Sequence, residues 1–412
     1  PLLRARVGHE RVHVAAAADH PVGGSHHQKL LVVDEQLAFA GGIDLARARW
    51  DRPSHLADDP ARVGPGGRAH GPFHDLQLAL TGPVAGVLAE VARDRWRSAT
   101  GETLSPLSPD EAAPFTPSPS QALMTFEDVP AAVALTRARW GESDACRDVE
   151  RLYRQQIAAA KQLIYIENQY LTAPTIADAL ADRLRDEAGP HVIIVTPDVQ
   201  SGPLAQRTLG AVPRDWLAQL EEADAHDRLR VICPIAAGEP VEPVNVHAKM
   251  MCCDDVLLRV GSANLTNRSM RLDSECDVTL TPRRPADRDR IGGLWRQLLA
   301  HHFGVTPDAL PADQAATEVV DTLIAETARA RRLRSRDCPA EPLLAHDIVD
   351  PEEPLDTVFA RTAIPAELRA RERPRVALLV AGLVLLVATI VWAVLAGDAV
   401  LAALTAASRF RS

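Results

Sequence analysis

The chain has 412 residues, enough for two or three domains with ample cores, and its composition is globular, with 46% hydrophobic, 24% charged and only 4% aromatic residues. A net charge of −10 argues against a surface built to hold nucleic acid, although a local basic cleft stays open. Cys146, Cys233, Cys252, Cys253, Cys276 and Cys338 form no C-x-x-C pair, which excludes a disulfide framework or a zinc site of that kind and reads as small buried residues in a reducing compartment.

The chain begins Pro1-Leu2-Leu3, with neither Met nor a signal-peptide pattern. Alternation predicts a strand over 30–33, a turn, and a second strand over 37–40 ending at Gly41-Gly42. A helix is expected over 44–50, a Gly-, Pro- and Arg-rich loop over 51–72, a strand over 74–80 and a helix over 83–97. Residues 101–130, rich in Pro, Ser and Thr, read as a linker. Beyond it the pattern predicts strands over 131–136, 163–171, 191–196 and 229–235, alternating with helices over 147–160, 176–187 and 204–225. A hairpin over 244–253 and 256–260, a strand over 274–280 and a helix over 288–303 come next, so the segment is an α/β layered domain. Residues 315–333 read as a helix ending in an Arg run, a solvated helix end in the first instance, with attraction to anionic lipid as a second reading. A Pro- and acid-rich tether over 339–374 leads to 376–397, which is uncharged and, as a helix, long enough to cross a bilayer. Arg361, Arg369, Arg371, Arg373 and Arg375 precede that run and only Arg409 and Arg411 come after it, which puts the preceding residues on the cytoplasmic side.

One stretch occurs twice. His27-x-Lys29-x4-Asp34 and His247-x-Lys249-x4-Asp254 are offset by 220 residues, as are the turns Gly41-Gly42-Ile43-Asp44 and Gly261-Ser262-Ala263-Asn264 beyond them. The chain has three lysines, Lys29, Lys161 and Lys249, and two of them sit in the repeat, where a compact ammonium is called for rather than a guanidinium. A His and a Lys two apart on a strand share a face. Imidazole can attack phosphorus or move a proton near neutral pH, and ammonium neutralises non-bridging phosphate oxygens. Two such pairs, His27 with Lys29 and His247 with Lys249, would surround one phosphate with no metal or cofactor required. Asp34 and Asp254, five residues beyond their lysines, point to the opposite face and are expected to fix the hairpins. Gly42 permits close backbone approach in the turn, and Ser262 and Asn264 can donate to phosphate oxygens, so these three join Lys29 and Lys249 as the expected phosphate-binding set. Asp44, when ionised, cannot donate. Each active histidine needs its second nitrogen held by an acceptor, and Asp75 and Glu275 on the strands after the turns are the candidates.

These residues resemble the phospholipase D superfamily, whose signature is this duplicated motif. The resemblance runs from His20 to about Phe303 and extends to Arg49-Trp50-Asp51, Pro72-Phe73-His74-Asp75, Ile164-Tyr165-Ile166-Glu167-Asn168-Gln169-Tyr170, and Gly261 through Ser269. It implies an α/β fold of two pseudo-twofold-related lobes, β-sheets flanked by helices, with one active site at their interface. The divisions are then 1–100 for the first lobe, 101–130 for the linker, 131–305 for the second lobe, 306–375 for a helix and tether, and 376–397 for a transmembrane helix. About 115 residues of strand and helix separate the linker from His247 but only 26 precede His27, so the first lobe is expected to lack roughly 90 to 100 residues. A catalytic region followed by a membrane run also resembles bacterial proteins that fuse this enzyme to a polytopic membrane domain, and the chain reads as a fragment of one.

By the same resemblance His27 is the nucleophile, forming a phosphatidyl-histidine, and His247 protonates the leaving alcohol and then activates water or an acceptor alcohol. From the residues alone either histidine can take either part. The expected partners are a glycerophospholipid, the membrane and a water or alcohol acceptor, with no nucleic acid and no cofactor. Three other readings stand beside it: a cardiolipin-synthase-like phosphatidyltransferase, a nuclease of the same superfamily, and a non-catalytic adaptor. The His26–Lys29 block and Glu167 through Tyr170 favour the hydrolase, and the acidic balance and membrane run disfavour the nuclease.

Overall fold

A computed structural model describes residues 9, 11–107, 122–198, 213–311, 313–338 and 349–357. The chain divides into two compact units, Pro1–His20 with Gly24–Glu352, and Pro21–Gly23 with Glu353–Ser412; the first holds every strand and α-helix described below. Residues 376–397 lie outside the described residues, as do parts of the linker and most of the tether. Among the described residues no helix is long and apolar enough to cross a membrane.

The strands are β1 (Leu30–Val33), β2 (Leu37–Gly41), β3 (Phe73–His74), β4 (Gln77–Thr81), β5 (Ala131–Arg137), β6 (Cys146–Arg147), β7 (Leu163–Asn168), β8 (His191–Val195), β9 (Leu229–Pro234), β10 (Asn245–Val246), β11 (Lys249–Cys253), β12 (Leu257–Gly261), β13 (Glu275–Leu280) and β14 (Ala330–Arg332). The α-helices are α1 (Pro83–Thr100), α2 (Asp148–Ala159), α3 (Pro174–Arg185), α4 (Arg214–Ala223), α5 (Asn267–Arg271), α6 (Pro285–Phe303) and α7 (Ala316–Thr327).

Nine strands form one sheet in the order β14-β9-β8-β7-β11-β12-β13-β5-β6. β7, β8 and β9 are mutually parallel, and every other neighbouring pair is antiparallel. A sheet covered on both faces needs apolar residues at every position of its central strands, and Leu163–Asn168 is buried throughout. Because side chains alternate, Ile164 and Ile166 meet Tyr153, Ile157, Leu180 and Leu217 of α2, α3 and α4, while Tyr165 joins Leu294, Leu298 and Val320 of α6 and α7 on the other face. Each such fully buried aliphatic side chain contributes about 1.5–3 kcal/mol. A smaller sheet, β1-β2-β4, adds Ala38, Ala40 and Leu80 to that second core, together with Ala85 and Leu88 of α1. Among the described residues β3 pairs with β10 alone, in parallel.

The alternating α/β order of the described residues matches the pattern of the sequence, with three local departures; of the helix expected over 204–225, residues 204–212 lie outside the described residues. Residues 44–50 hold only a 3-10 turn at Arg47–Arg49, because Asp44 is drawn to Lys29 and Arg49. The expected strand over 74–80 is cut between His74 and Gln77, where the Asp75 carboxylate accepts from the Leu76 N–H at 2.8 Å. The expected helix over 315–333 stops at Thr327; Ala328 turns to φ +52° and Ala330–Arg332 joins the sheet edge against β9. Arg331 pairs with Asp198, Arg332 lies 3.6 Å from Asp321, and Arg329 donates to the Ile235 carbonyl at 3.0 Å, so the run is tied to the fold rather than forming a solvated helix end.

Candidate active site

The two motif hairpins share one register. Leu30 faces Ala40 in the first and Met250 faces Val260 in the second, and each later pair keeps the same 220-residue offset. Asp34 and Asp254 occupy the turns with φ 49° and 51°. Asp254 also accepts from the N–H groups of Lys161, Gln162 and Leu163 at 2.8–2.9 Å, which anchors the start of β7. Asp34 is exposed.

Each histidine enters its hairpin along a strand of the other copy. Asn245 and Val246 pair in parallel with Phe73 and His74, and the His247 N–H donates to the His74 carbonyl at 2.7 Å. In the same way His26 bridges Ser274 in parallel, and the His27 N–H donates to the Ser274 carbonyl at 3.0 Å. The next residue along each guiding strand is the carboxylate. His247 Nδ1 therefore lies 2.7 Å from Asp75 Oδ2, and His27 Nδ1 lies 2.9 and 3.1 Å from the Glu275 oxygens. The two pairs are crossed between the copies. A carboxylate on Nδ1 fixes that nitrogen as the donor and leaves Nε2 of each ring for chemistry.

The lysines differ in surroundings. Lys29 Nζ donates to the His27 carbonyl at 2.8 Å and stands 3.3 Å from Asp44 Oδ1. Lys249 is fully buried, donates to Gln169 Oε1 at 3.1 Å and to the His247 carbonyl, and sits 3.1 Å from His247 Nδ1. Burial pushes the Lys249 ammonium down to about 7, with Asp75 opposing and Lys29 adding to the shift. Burial pushes the Asp75 carboxyl up to about 7 against the pull of Lys249. His247 is held well below the usual imidazole value by burial, then by Lys249, Arg49, Lys29 and His27. The shifts on His247 and Asp75 agree in sense: burial opposes their ion pair, and one shared proton satisfies them. Asp44, although partial burial raises it, is left below the usual carboxylate range by Lys29 and Arg49.

Two members of the expected phosphate-binding set are used otherwise. The Ser262 hydroxyl donates to Glu275 Oε2, and Ser269 donates to Oε1 at 2.7 Å, so these hydroxyls orient the partner of His27. At Gly42 a Cβ would stand 2.2 Å from Asp75 Oδ1, so this glycine makes room for the partner of His247. The close approach is by a carboxylate of the protein. Asn264 is placed differently: its buried Oδ1, an acceptor, has no hydrogen-bond partner among the described residues.

Other side chains join the site. Arg49 stacks 4.9 Å over the Phe73 ring, and Phe73 lies 5.3 Å from the His247 ring. Gln169 holds Lys249, and Ser269 holds Glu275. Gln169 and Ser269 lie in the stretches that carry the resemblance, and their position there was the signal; their bonds to Lys249 and Glu275 depend on tertiary contacts. The cysteines are free, five of them buried, and burial raises the Cys252 and Cys253 thiols.

Residues 153–288, which hold the second motif copy, match the family model described as "Cardiolipin synthase, PLD-like domain". Phospholipase D alpha 2 of Oryza sativa subsp. japonica is 24% identical over 72% of this chain and 52% of its own length. Phospholipase D alpha 1 of the same plant is 27% identical over 69% and 49%, and phospholipase D alpha 2 of Arabidopsis thaliana is 26% identical over 72% and 51%. The chain thus spans about half the length of these relatives. Among solved structures, the phospholipase D family member Nuc from Salmonella typhimurium is similar with a TM-score of 0.27 and 17% identity, over 50% of this chain and 99% of that one. Phosphatidylserine synthase of Haemophilus influenzae Rd KW20 is similar with a TM-score of 0.43 and 14% identity, over 82% and 69%. Residues 153–288 thus carry a PLD-like domain, and the chain is similar to phospholipase D alpha proteins at 24–27% identity over 69–72% of its length.

Proposed function

We propose that this chain cleaves the head-group phosphodiester of glycerophospholipids through a covalent phosphohistidine. The observation that carries this reading is the crossed pairing of His27 with Glu275 and His247 with Asp75. Nε2 of His27 attacks phosphorus; the bond to the head-group oxygen breaks, and that oxygen takes a proton from Nε2 of His247. Water or an acceptor alcohol then gives its proton back to His247 while its oxygen attacks phosphorus and displaces His27. Lys29, Lys249 and the Asn264 amide hold the non-bridging oxygens, with Arg49 alongside. His27 takes the attacking part because its side chain is 26% exposed and that of His247 only 5%.

The acid step needs a proton on His247 that burial, and after it the surrounding positive groups, oppose. An entering phosphodiester anion offsets the charges of Lys29, Lys249 and Arg49, and so restores the proton affinity of His247. Substrate binding and proton uptake are coupled in this scheme.

The description of the matching family model supports a second reading with the same chemistry, in which phosphatidylglycerol is both donor and acceptor. In either reading the lobes are 1–100 and 131–305, and the chain works at a membrane with its catalytic region cytoplasmic, as the run over 376–397 and the arginines before it suggest. Full-length protein with vesicles of phosphatidylcholine and phosphatidylglycerol, with ethanol and with or without chelator, tests both. Choline release with phosphatidylethanol supports the first reading. Cardiolipin without choline release supports the second, and cleavage of single-stranded DNA without lipid turnover overturns both.

A further inference from the structure

Behind Asp75 lies a group of histidines that the two-step chemistry does not use. His55 comes from the loop after the first motif, His74 from β3, and His301 and His302 from the last turn of α6. One ring nitrogen from each of His55, His74 and His301 lies within 4.8 Å of the other two. His55 Nε2 and His301 Nε2 are 3.0 Å apart, and the ring centroids stand 4.9, 5.3 and 5.7 Å from one another. A tetrahedral ion with Zn–N near 2.0 Å sets its nitrogen ligands about 3.3 Å apart, so the His55–His301 pair is already close to the spacing required.

The outer contacts favour the same use. His55 Nδ1 is 2.8 Å from Asp51 Oδ2, and Asp51 is itself fixed by the Phe73 N–H at 2.8 Å and Arg62 Nη1 at 3.2 Å. That bond makes Nδ1 the donor and leaves a bare lone pair on Nε2, directed at His301. His74 is anchored by Glu167 through Nε2 at 2.7 Å. A carboxylate behind a histidine is the usual support of a metal-ligating imidazole. Without an ion, one proton must sit between His55 and His301; a cation in its place would draw on both lone pairs.

We propose that His55, His74 and His301 form a binding site for a borderline divalent transition metal of the zinc class, with Asp51 and Glu167 as its outer carboxylates. All three ligands are imidazoles, which suits zinc, cobalt or nickel and not calcium or magnesium. The ion ties the loop of the first copy to α6 and stiffens β3, whose His74 carbonyl receives the His247 N–H at 2.7 Å. It is separate from the phosphate site.

Chelator-stripped full-length protein titrated with Co2+ provides the test, read by the visible bands of low-coordinate cobalt and by the thermal midpoint. One equivalent is expected, with a rise in midpoint. A His27→Ala/His247→Ala double variant should keep both signals, while His55→Ala and the milder His301→Gln should lose them. Binding that follows His27 and His247, or that is lost in His302→Ala and kept in His301→Gln, overturns the assignment. X-ray absorption of the zinc-loaded unmutated protein covers the case of a misfolded variant: three imidazole shells near 2.0 Å support the site, and an all-oxygen shell or no retained metal refutes it.

Discussion

Replacing Asp75 by Asn should separate activity from stability. The carboxyl is shifted by burial from its usual 3.8 to about 7. At 1.36 kcal/mol per tenfold change, keeping it ionised in the fold costs about 4 kcal/mol, an order-of-magnitude figure. Above both values it is ionised folded and unfolded, so the cost is full; below 3.8 it is neutral in both states and the cost vanishes. The neutral amide of Asp75→Asn carries no such cost. Its Oδ1 can still accept from the Leu76 N–H, but its NH2 would face His247 Nδ1 and force the proton onto Nε2. That tautomer can neither accept the proton of the incoming water nor be held as an imidazolium, so kcat should fall about 10^4-fold. Lys249 loses a carboxylate neighbour, which trims the stability gain below the full figure. Urea unfolding from pH 4 to 8, beside head-group release, is the assay. The variant should match the wild type near pH 4 and exceed it increasingly toward pH 8. Activity within tenfold of wild type, or a variant several kcal/mol less stable at pH 8, would refute the reasoning.

Gly42→Ala should cost about 100-fold in kcat, because its Cβ displaces the Asp75 carboxylate from 2.2 Å and misplacements near 1 Å have that effect; a fully active alanine variant would show that Asp75 does not need this space. Ser262→Ala and Ser269→Ala each remove a hydroxyl donor from Glu275, and each should lower kcat/KM by about 10- to 100-fold, with a double variant short of the product. Arg259→Met leaves Asp277 buried and unpaired beneath the Ser262 and Ala263 amides, and chemical denaturation should register a loss of about 3–5 kcal/mol. An unchanged midpoint would mean that Asp277 is protonated in the fold, in line with the upward push that burial gives it.

The hairpins and the α/β order were readable because strands with two buried faces carry apolar runs, such as 163–166, and because the two copies share one register. Asp75 and Glu275 were readable as acceptors from the chemistry each histidine needs. Their crossed assignment was not, since it follows from β3 pairing with β10 and from His26 meeting Ser274, contacts 172 and 248 residues apart in sequence. Ser262 and Gly42 carry the right chemistry for phosphate, and only the position of the neighbouring carboxylates reveals their other use. The Arg run failed as a helix because edge pairing with β9 and the Asp198 and Asp321 carboxylates override local propensity. The histidines around His74 come from three distant segments with no shared spacing, which no linear motif can display.

The central claim is a covalent intermediate on His27, with His247 as its proton-transfer partner. Full-length wild-type protein and the His247→Ala variant, mixed with phosphatidylcholine and quenched within the first turnover, can be digested and mapped by mass spectrometry. A phosphatidyl adduct on the peptide carrying His27, persisting longer in His247→Ala than in wild type, is the predicted result. An adduct on the His247 peptide of the wild type, or steady turnover by the His247→Ala variant, would contradict it.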